Sequence, residues 1–386
     1  MAKFLIGADV VPTESNYDLF SKAEVEILVG KELNEILKTA DYRVFNLETP
    51  LCDEETPIIK CGPNLNAPVR TVRGIKALNP SLLTLANNHI MDQGNAGYFC
   101  TIKTLSENGI EYVGVGDNVA SLKKSTIICV NEDKIKVGFY ACAEYEYTIA
   151  ERDKPGANPF DALYSLDEIE MLKEQCDYVV VLYHGGKEHY RYPSPRLQKI
   201  CHRMIEKGAD VVVTQHSHCI GCFEEYINGL IVYGQGNFLF DRANNEFWNT
   251  SLLIELNIDN SGFSIDYIPL MKEENTVRLA NGKSGEQILE EFRARSELIK
   301  RDLEQIEIMY REFARGYEAS YYSAFGGVLG SIVNRLDRLF KGRLRKVNYN
   351  SAHRLDMLDY LKCDAHRELF ENILEESLKD KNRTDE

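Results

Sequence analysis

Short apolar runs rich in β-branched residues, most of them closing on a polar or ionisable side chain, recur through the first 270 positions and limit the fold more than any other feature. Such runs, separated by segments whose apolar residues recur every three or four positions, are the pattern of strands that cross over through helices. The predicted strands lie at 3–8, 43–47, 82–86, 111–115, 135–142, 178–183, 211–215, 230–235, 251–257 and 263–269. Helical spacing marks 19–39, 94–108, 165–176 and 194–207, the last opening on Ser194-Pro195, a favourable helix start. From Ser284 onward the strand signals stop, and charged segments of helical period at 284–316, 325–346 and 352–379 take over. Asn281-Gly282-Lys283-Ser284-Gly285 reads as a loop. The chain is therefore expected to be α/β over 1–272, with a helical extension over 284–386.

With 386 residues and 44% hydrophobic content the chain has ample material for a buried core. A formal net charge of -15 excludes a general nucleic-acid binder, which needs a basic surface to neutralise phosphates. The stretch from Met1 to Asp9 has too short an apolar run for a signal peptide or a membrane anchor, so a cytoplasmic location is expected. Ten cysteines are scattered from Cys52 to Cys363 without framework spacing, and reduced buried thiols are the default reading. Cys219 and Cys222 form a lone C-x-x-C pair, read as structural rather than as half of a zinc site.

In α/β sheets ligand sites form outside the carboxyl ends of strands, so the residues found there carry the functional signal. The run 3–8 ends in Asp9 and the run 43–47 in Glu48, two carboxylates suited to divalent metals. Leu82 to Ala86 leads into Asn87-Asn88-His89-Ile90-Met91-Asp92-Gln93-Gly94, a polar group denser than turn chemistry requires. Val179 to Tyr183 ends in His184, followed by Gly185-Gly186, which frees the backbone to turn around a ligand. Val211 to Gln215 leads into His216-Ser217-His218, and in an extended segment residues two apart face the same side. Singly, each residue reads as a cap, a loop acid or a hydrogen-bonded histidine. Together, four of the eight histidines, two acids and an asparagine stand at successive strand ends, and such a donor set suits manganese, iron or zinc.

Gly-x-Asp9, Asn46-Leu47-Glu48, Asn87-Asn88-His89-x-x-Asp92-x-Gly94, His184-x-Gly186 and His216-x-His218 follow the order seen in the capsule and poly-gamma-glutamate synthesis (CapA-like) family. That family is a branch of the calcineurin-like metallophosphatases, and Tyr233 to Asp241, with Asn237 inside it, looks like its closing motif. The resemblance covers roughly 3–270 and implies a four-layer αββα sandwich. It implies that Asp9, Glu48 and His218 hold one metal, and that Glu48 bridges to a second held by Asn88, His184 and His216. A water between two such ions is a nucleophile near neutral pH. His89 would act as general acid or charge stabiliser, with Asp92 orienting its ring.

Two departures from the wider pattern stand out. Val10-Val11 follow Asp9 where a D-x-H motif would supply another histidine, and Glu48 stands where aspartate is usual, leaving open a weak first site or a one-ion centre. Glu188, His189 and Arg191, beyond the His184 turn, and Asn237 are candidate substrate contacts, Arg191 suiting a carboxylate or phosphate. His202, His353 and His366 are given no role. The expected activity is a metal-dependent hydrolase or transferase acting on a phosphoester, amide or related acyl bond of a surface polymer or its precursor. The alternative is a non-catalytic polymer-binding or assembly component.

The segment 325–346 carries an apolar stripe of Phe325, Val328, Leu329, Ile332, Val333, Leu336, Leu339 and Phe340 beside Arg335, Arg338, Lys341, Arg343, Arg345 and Lys346. One helix with this pattern would dock on an anionic membrane face or a partner protein, or pack within the molecule. Nothing in the sequence sets the oligomeric state.

Overall fold

The computed structural model describes residues 1–130, 134–241, 245–337, 339–340 and 343–384, in two compact units, Met1–Ile308 and Met309–Glu386. The first unit is built on two sheets. One runs in the order β16 (Thr276–Leu279), β15 (Gly262–Glu273), β14 (Thr250–Asp259), β1 (Ala2–Val11), β2 (Tyr42–Leu47), β3 (Leu82–Thr84), β4 (Tyr112–Val113), with β13 (Asn237–Phe240) also pairing with β1. From β1 to β4 the pairing is parallel, and towards β16 it is antiparallel. The other sheet runs β11 (Ile220–Tyr226), β12 (Gly229–Gln235), β10 (Val211–Gln215), β9 (Tyr178–His184), β7 (Ile135–Ala143), β6 (Ser125–Val130), parallel from β12 to β7. A short ribbon joins β5 (Val115–Gly116) and β8 (Gly156–Ala157).

The period-two alternation of each strand produces the layers. In β9, Val180 and Leu182 enter the core shared with Phe4, Ile6 and Val44 of the facing sheet, and Phe4 lies 5.6 Å from Phe139 of β7. Val179, Val181 and Tyr183 point the other way, under Ile169 and Leu172 of helix Ser165–Lys173 and Leu197, Cys201, Met204 and Ile205 of helix Pro195–Glu206. Burial on both faces is why these strands read as continuous Val and Ile runs. Leu33, Ile75, Tyr98 and Leu105, all on helices, join the core from the first sheet. This is the four-layer αββα arrangement with C-terminal helices that the sequence predicts.

The expected start at Ser194-Pro195 is present: Ser194 Oγ accepts the Leu197 N–H at 3.1 Å. The 19–39 segment is three short helices, Tyr17–Ser21, Val25–Val29 and Lys31–Thr39, because Ala23 (φ 57°) and Gly30 (φ 76°) take left-handed backbone between them. The first unit runs past 272–284, where the sequence reading sets its division. Helix Gly282–Arg301 packs Phe292 against Phe223 and Tyr267, at 5.4 and 4.8 Å, and Ser296 Oγ accepts the Phe223 N–H.

In the second unit the 325–346 segment is not one helix. Glu318–Phe325, Gly327–Asp337 and Arg343–Asn348 are separate, broken at Gly327 (φ 55°) and beyond Asp337, whose carboxylate accepts the Leu344 N–H at 2.8 Å and pairs with Arg345 at 2.7 Å. Arg338 and Lys341 lie outside the described residues. Among the described residues no helix is long and apolar enough to cross a membrane.

Candidate metal centre

The sheets meet at one edge, where β1, β2, β9 and β10 run out of apolar residues. Asp9 lies beside Asn46 in the β1–β2 register, Gln215 beside His184 in β10–β9, and Gln215 Nε2 donates to the Gly7 carbonyl across the sheets. Glu48 follows β2, Asn88 follows β3, and His216 and His218 follow β10. Six side chains drawn from positions 9 to 218 thus face one small volume.

Their donor atoms form two groups sharing Glu48. Asp9, Glu48 and His218 offer atoms all within 4.8 Å of one another, and so do Glu48, His184 and His216. His184 Nε2 lies 3.1 Å from Glu48 Oε1, 3.2 Å from His216 Nδ1 and 3.0 Å from Asn88 Oδ1. His218 Nδ1 lies 3.6 Å from Asp9 Oδ2. Asp9 and Glu48 are fully buried, and among the described residues Asp9 Oδ2 and both Glu48 oxygens make no hydrogen bond. Buried carboxylates without partners are costly, which fits a site built for cations. Carboxylate, imidazole and amide oxygen together make a donor set compatible with a divalent metal.

The H-x-H geometry differs from the expectation. His216 (φ 88°) and His218 (φ 52°) are left-handed rather than extended, a strained backbone for side chains with a Cβ. A turn, not strand alternation, aims both rings into the site, their centroids 5.9 Å apart. Strain of about 1–3 kcal/mol at each residue is tolerated where the surroundings fix the conformation.

Electrostatics separate the histidines. Burial pushes His184 down to about 4 and His216 well below the ordinary imidazole value, so both are neutral and ready to ligate at neutral pH. For His218 burial also opposes charge, but the Glu48 and Asp9 carboxylates and the Asn237 hydrogen bond outweigh it and raise it to about 9. Burial, reinforced by Asp9, holds Glu48 well above the usual carboxylate range.

His89 stands beside this centre, with its Nδ1 2.5 Å from Asp92 Oδ2, which also accepts the Leu65 N–H at 2.6 Å. Burial lowers the His89 pKa against the pull of Asp92. Three partners escape the sequence reading. Asn46 Nδ2 donates to Asp9 Oδ1 at 2.7 Å, and Asn87 Nδ2 donates to Asn46 Oδ1 and the Leu47 carbonyl while its Oδ1 accepts the His89 N–H. Lys60, its side chain 3% exposed, pairs with Asp92 and lies 3.3 Å from both His89 Nδ1 and the Asn88 carbonyl. Asn46 and Asn87 stand inside quoted motifs, but Lys60 sits in a loop without periodicity and leaves no signal.

The candidate substrate contacts separate in kind. Glu188 is half-buried near the centre and adds its charge to the repulsion felt by Glu48. His189 Nε2 accepts the Trp248 indole N–H at 3.0 Å, with its ring stacked on Phe247. Arg191 donates to the Ile220 carbonyl at 2.8 Å and lies over the Phe247 ring, so its described contacts build the wall beside the site. Asn237 Oδ1 lies 2.9 Å from His218 Nδ1. His202 pairs with Glu224 and stacks on Tyr226, away from the centre. Cys219 and Cys222 are buried free thiols pushed up by burial, and among the described residues no metal-donor group includes them, His353 or His366.

The chain is similar in sequence to known proteins. The chain is 31% identical over 261 residues to the capsule biosynthesis protein CapA of Bacillus anthracis, covering 65% of this chain and 62% of that one. It is 29% identical over 217 residues to the PGA biosynthesis protein CapA of Bacillus subtilis (54% and 55%). It is 30% identical over 230 residues to a protein of Mycobacterium tuberculosis described as a polyglutamine synthesis accessory protein (55% and 59%). The matches thus span less than two thirds of these relatives. The family described as bacterial capsule synthesis protein PGA_cap matches residues 7–242, more than half of the chain, and includes every candidate metal donor, so the chain belongs to that family.

Proposed function

We propose that this chain is a metal-dependent hydrolase or transferase that acts on a phosphoester, amide or related acyl bond in capsule, polyglutamate or other surface-polymer metabolism. One observation carries the reading: two buried donor groups share Glu48, with His89 poised beside them. Asp9, Glu48 and His218 would hold one ion, and Glu48, Asn88, His184 and His216 a second, with manganese, iron or zinc matching the donors. When bound, such ions supply a water nucleophile near neutral pH and polarise a substrate oxygen. Asp92, tied to Lys60 and the Leu65 N–H, fixes the His89 ring. With Nδ1 held by Asp92, His89 would donate from Nε2 in its doubly protonated form, giving a proton to the leaving group or a hydrogen bond to charge developing on the substrate. Asn46 and Asn87 link the strand ends and hold the acids in register.

Metal analysis of the purified chain, with a screen of phosphoesters and γ-glutamyl peptides before and after chelation, tests this. Turnover that chelator abolishes and a divalent ion restores is expected. A chain that retains metal but turns over no such substrate favours the second reading, a polymer-binding assembly component, to which the accessory role in the mycobacterial relative's name points.

A further inference from the structure

The two donor groups are unequal. Around Glu48, His184 and His216 the Asn88 oxygen supplies a fourth donor, whereas Asp9, Glu48 and His218 have only three among His, Cys, Asp and Glu. The position two residues beyond Asp9 is Val11, a buried side chain that offers no lone pair. A candidate for a fourth donor lies on another strand. β13 pairs in parallel with β1, and its register places Asn237 opposite Asp9. The chain reaches this place from β12 of the other sheet through Gly236 (φ 78°), where a Cβ would come within 2.7 Å of the Thr250 carbonyl. Asn237 is 6% exposed. Its Oδ1 lies 2.9 Å from His218 Nδ1, which is itself 3.6 Å from the orphaned Asp9 Oδ2.

Donors about 2.0–2.2 Å from one ion stand about 2.8–3.6 Å apart for octahedral or tetrahedral angles, and these separations fall within that spacing. Among the described residues Asn237 Nδ2 is buried with no hydrogen-bond partner, so the amide is not placed to satisfy an internal network, in which both of its ends would be paired. Resting on the two-ion reading above, we infer that Asn237 Oδ1 is the fourth protein ligand of the ion held by Asp9, Glu48 and His218. It fills from β13 the place that Val11 leaves empty on β1. The two halves of the centre then match, each with one amide oxygen beside the shared Glu48.

The test uses the full chain stripped with chelator and titrated with Mn²⁺ by calorimetry and with Co²⁺ by visible absorption. The wild type is expected to bind two ions. Asn237→Ala should keep one and bind the other about 100-fold more weakly, with its saturated Co²⁺ bands shifted and intensified as coordination falls. Asn237→Asp should bind two ions, the second at least as tightly as wild type. Far-UV circular dichroism and melting of the stripped variants should match the stripped wild type. If Asn237→Ala disrupts the fold, a weakened second site in a folded Asn237→Asp would overturn the inference. Asn237→Ala that binds both ions as wild type does, with an unchanged Co²⁺ spectrum, would overturn the inference alone. A wild-type chain that takes up no ion would overturn it together with the proposed function.

Discussion

The meeting edge of the two sheets and the helical segment from residue 309 break the ordinary rules of burial in opposite directions. At the edge, Asp9 and Glu48 are sealed from water with oxygens that make no hydrogen bond among the described residues. In the helices, Val328 (78% exposed), Leu329 (74%) and Leu339 (79%) stand in water on one stretch of chain, with Arg335, Arg343 and Lys346 near them. Natural sequences agree with their fold almost everywhere, and the places where they do not mark sites that need something from outside. The edge gathers donors compatible with a divalent cation. The helices leave these apolar side chains exposed within their own unit.

The sharpest way to break this contrast is to remove the acid that both donor groups share. Glu48→Ala is expected to strip both ions and lower turnover on the order of 1000-fold, the scale of several kcal/mol of metal assistance. Val328→Ser with Leu329→Ser should leave metal content and turnover unchanged. Metal analysis of both variants checks this, and equal losses would erase the distinction between the regions.

A smaller effect separates ligand from acid within the edge. His89→Asn should lower turnover about 100-fold while metal content holds, because a proton donor acts mainly in the transition state. Metal loss equal to that of His216→Ala would make His89 a ligand.

Proton linkage gives the next effect. His218, raised to about 9, is an imidazolium at neutral pH before an ion arrives, and a ligand must be neutral, so binding expels its proton. Affinity should therefore fall as pH drops below 9, about tenfold per pH unit for each proton released. His184, at about 4, adds nothing above pH ~5. Calorimetry in two buffers of different ionisation enthalpy reads the release directly, and pH-independent affinity between pH ~6 and ~8 would contradict the assignment.

The smallest effect belongs to the helices. The full chain should co-sediment with vesicles containing anionic lipid more than with neutral ones, each basic residue adding about 1 kcal/mol and salt weakening the attraction. Arg345, already paired with Asp337, should contribute less than Arg343. Equal or absent binding would remove the membrane reading and leave packing as the explanation.

The central strands of both sheets and the polar residues at their ends were legible in the sequence because both follow from local periodicity, whereas β6, β11, β13 and β16 were not foreseen. A β-branched run buried on both faces, as in Val211 to Val213, announces itself, and the next polar residue must lie at the strand's end. Helix limits were less legible. Ala23, Gly30 and Gly327 break segments whose apolar spacing continues unbroken, since periodicity reports the face and not the φ angle. The tertiary structure alone decided what required distant segments to meet. It set Asn237 beside Asp9 through a parallel pairing, turned His216 and His218 by left-handed backbone, brought Lys60 from an aperiodic loop onto Asp92, and folded helix Gly282–Arg301 into the first unit. Such contacts depend on how two sheets pack. Closing a long loop costs only slightly more than closing a short one, so distance along the chain leaves no pattern from which they can be read.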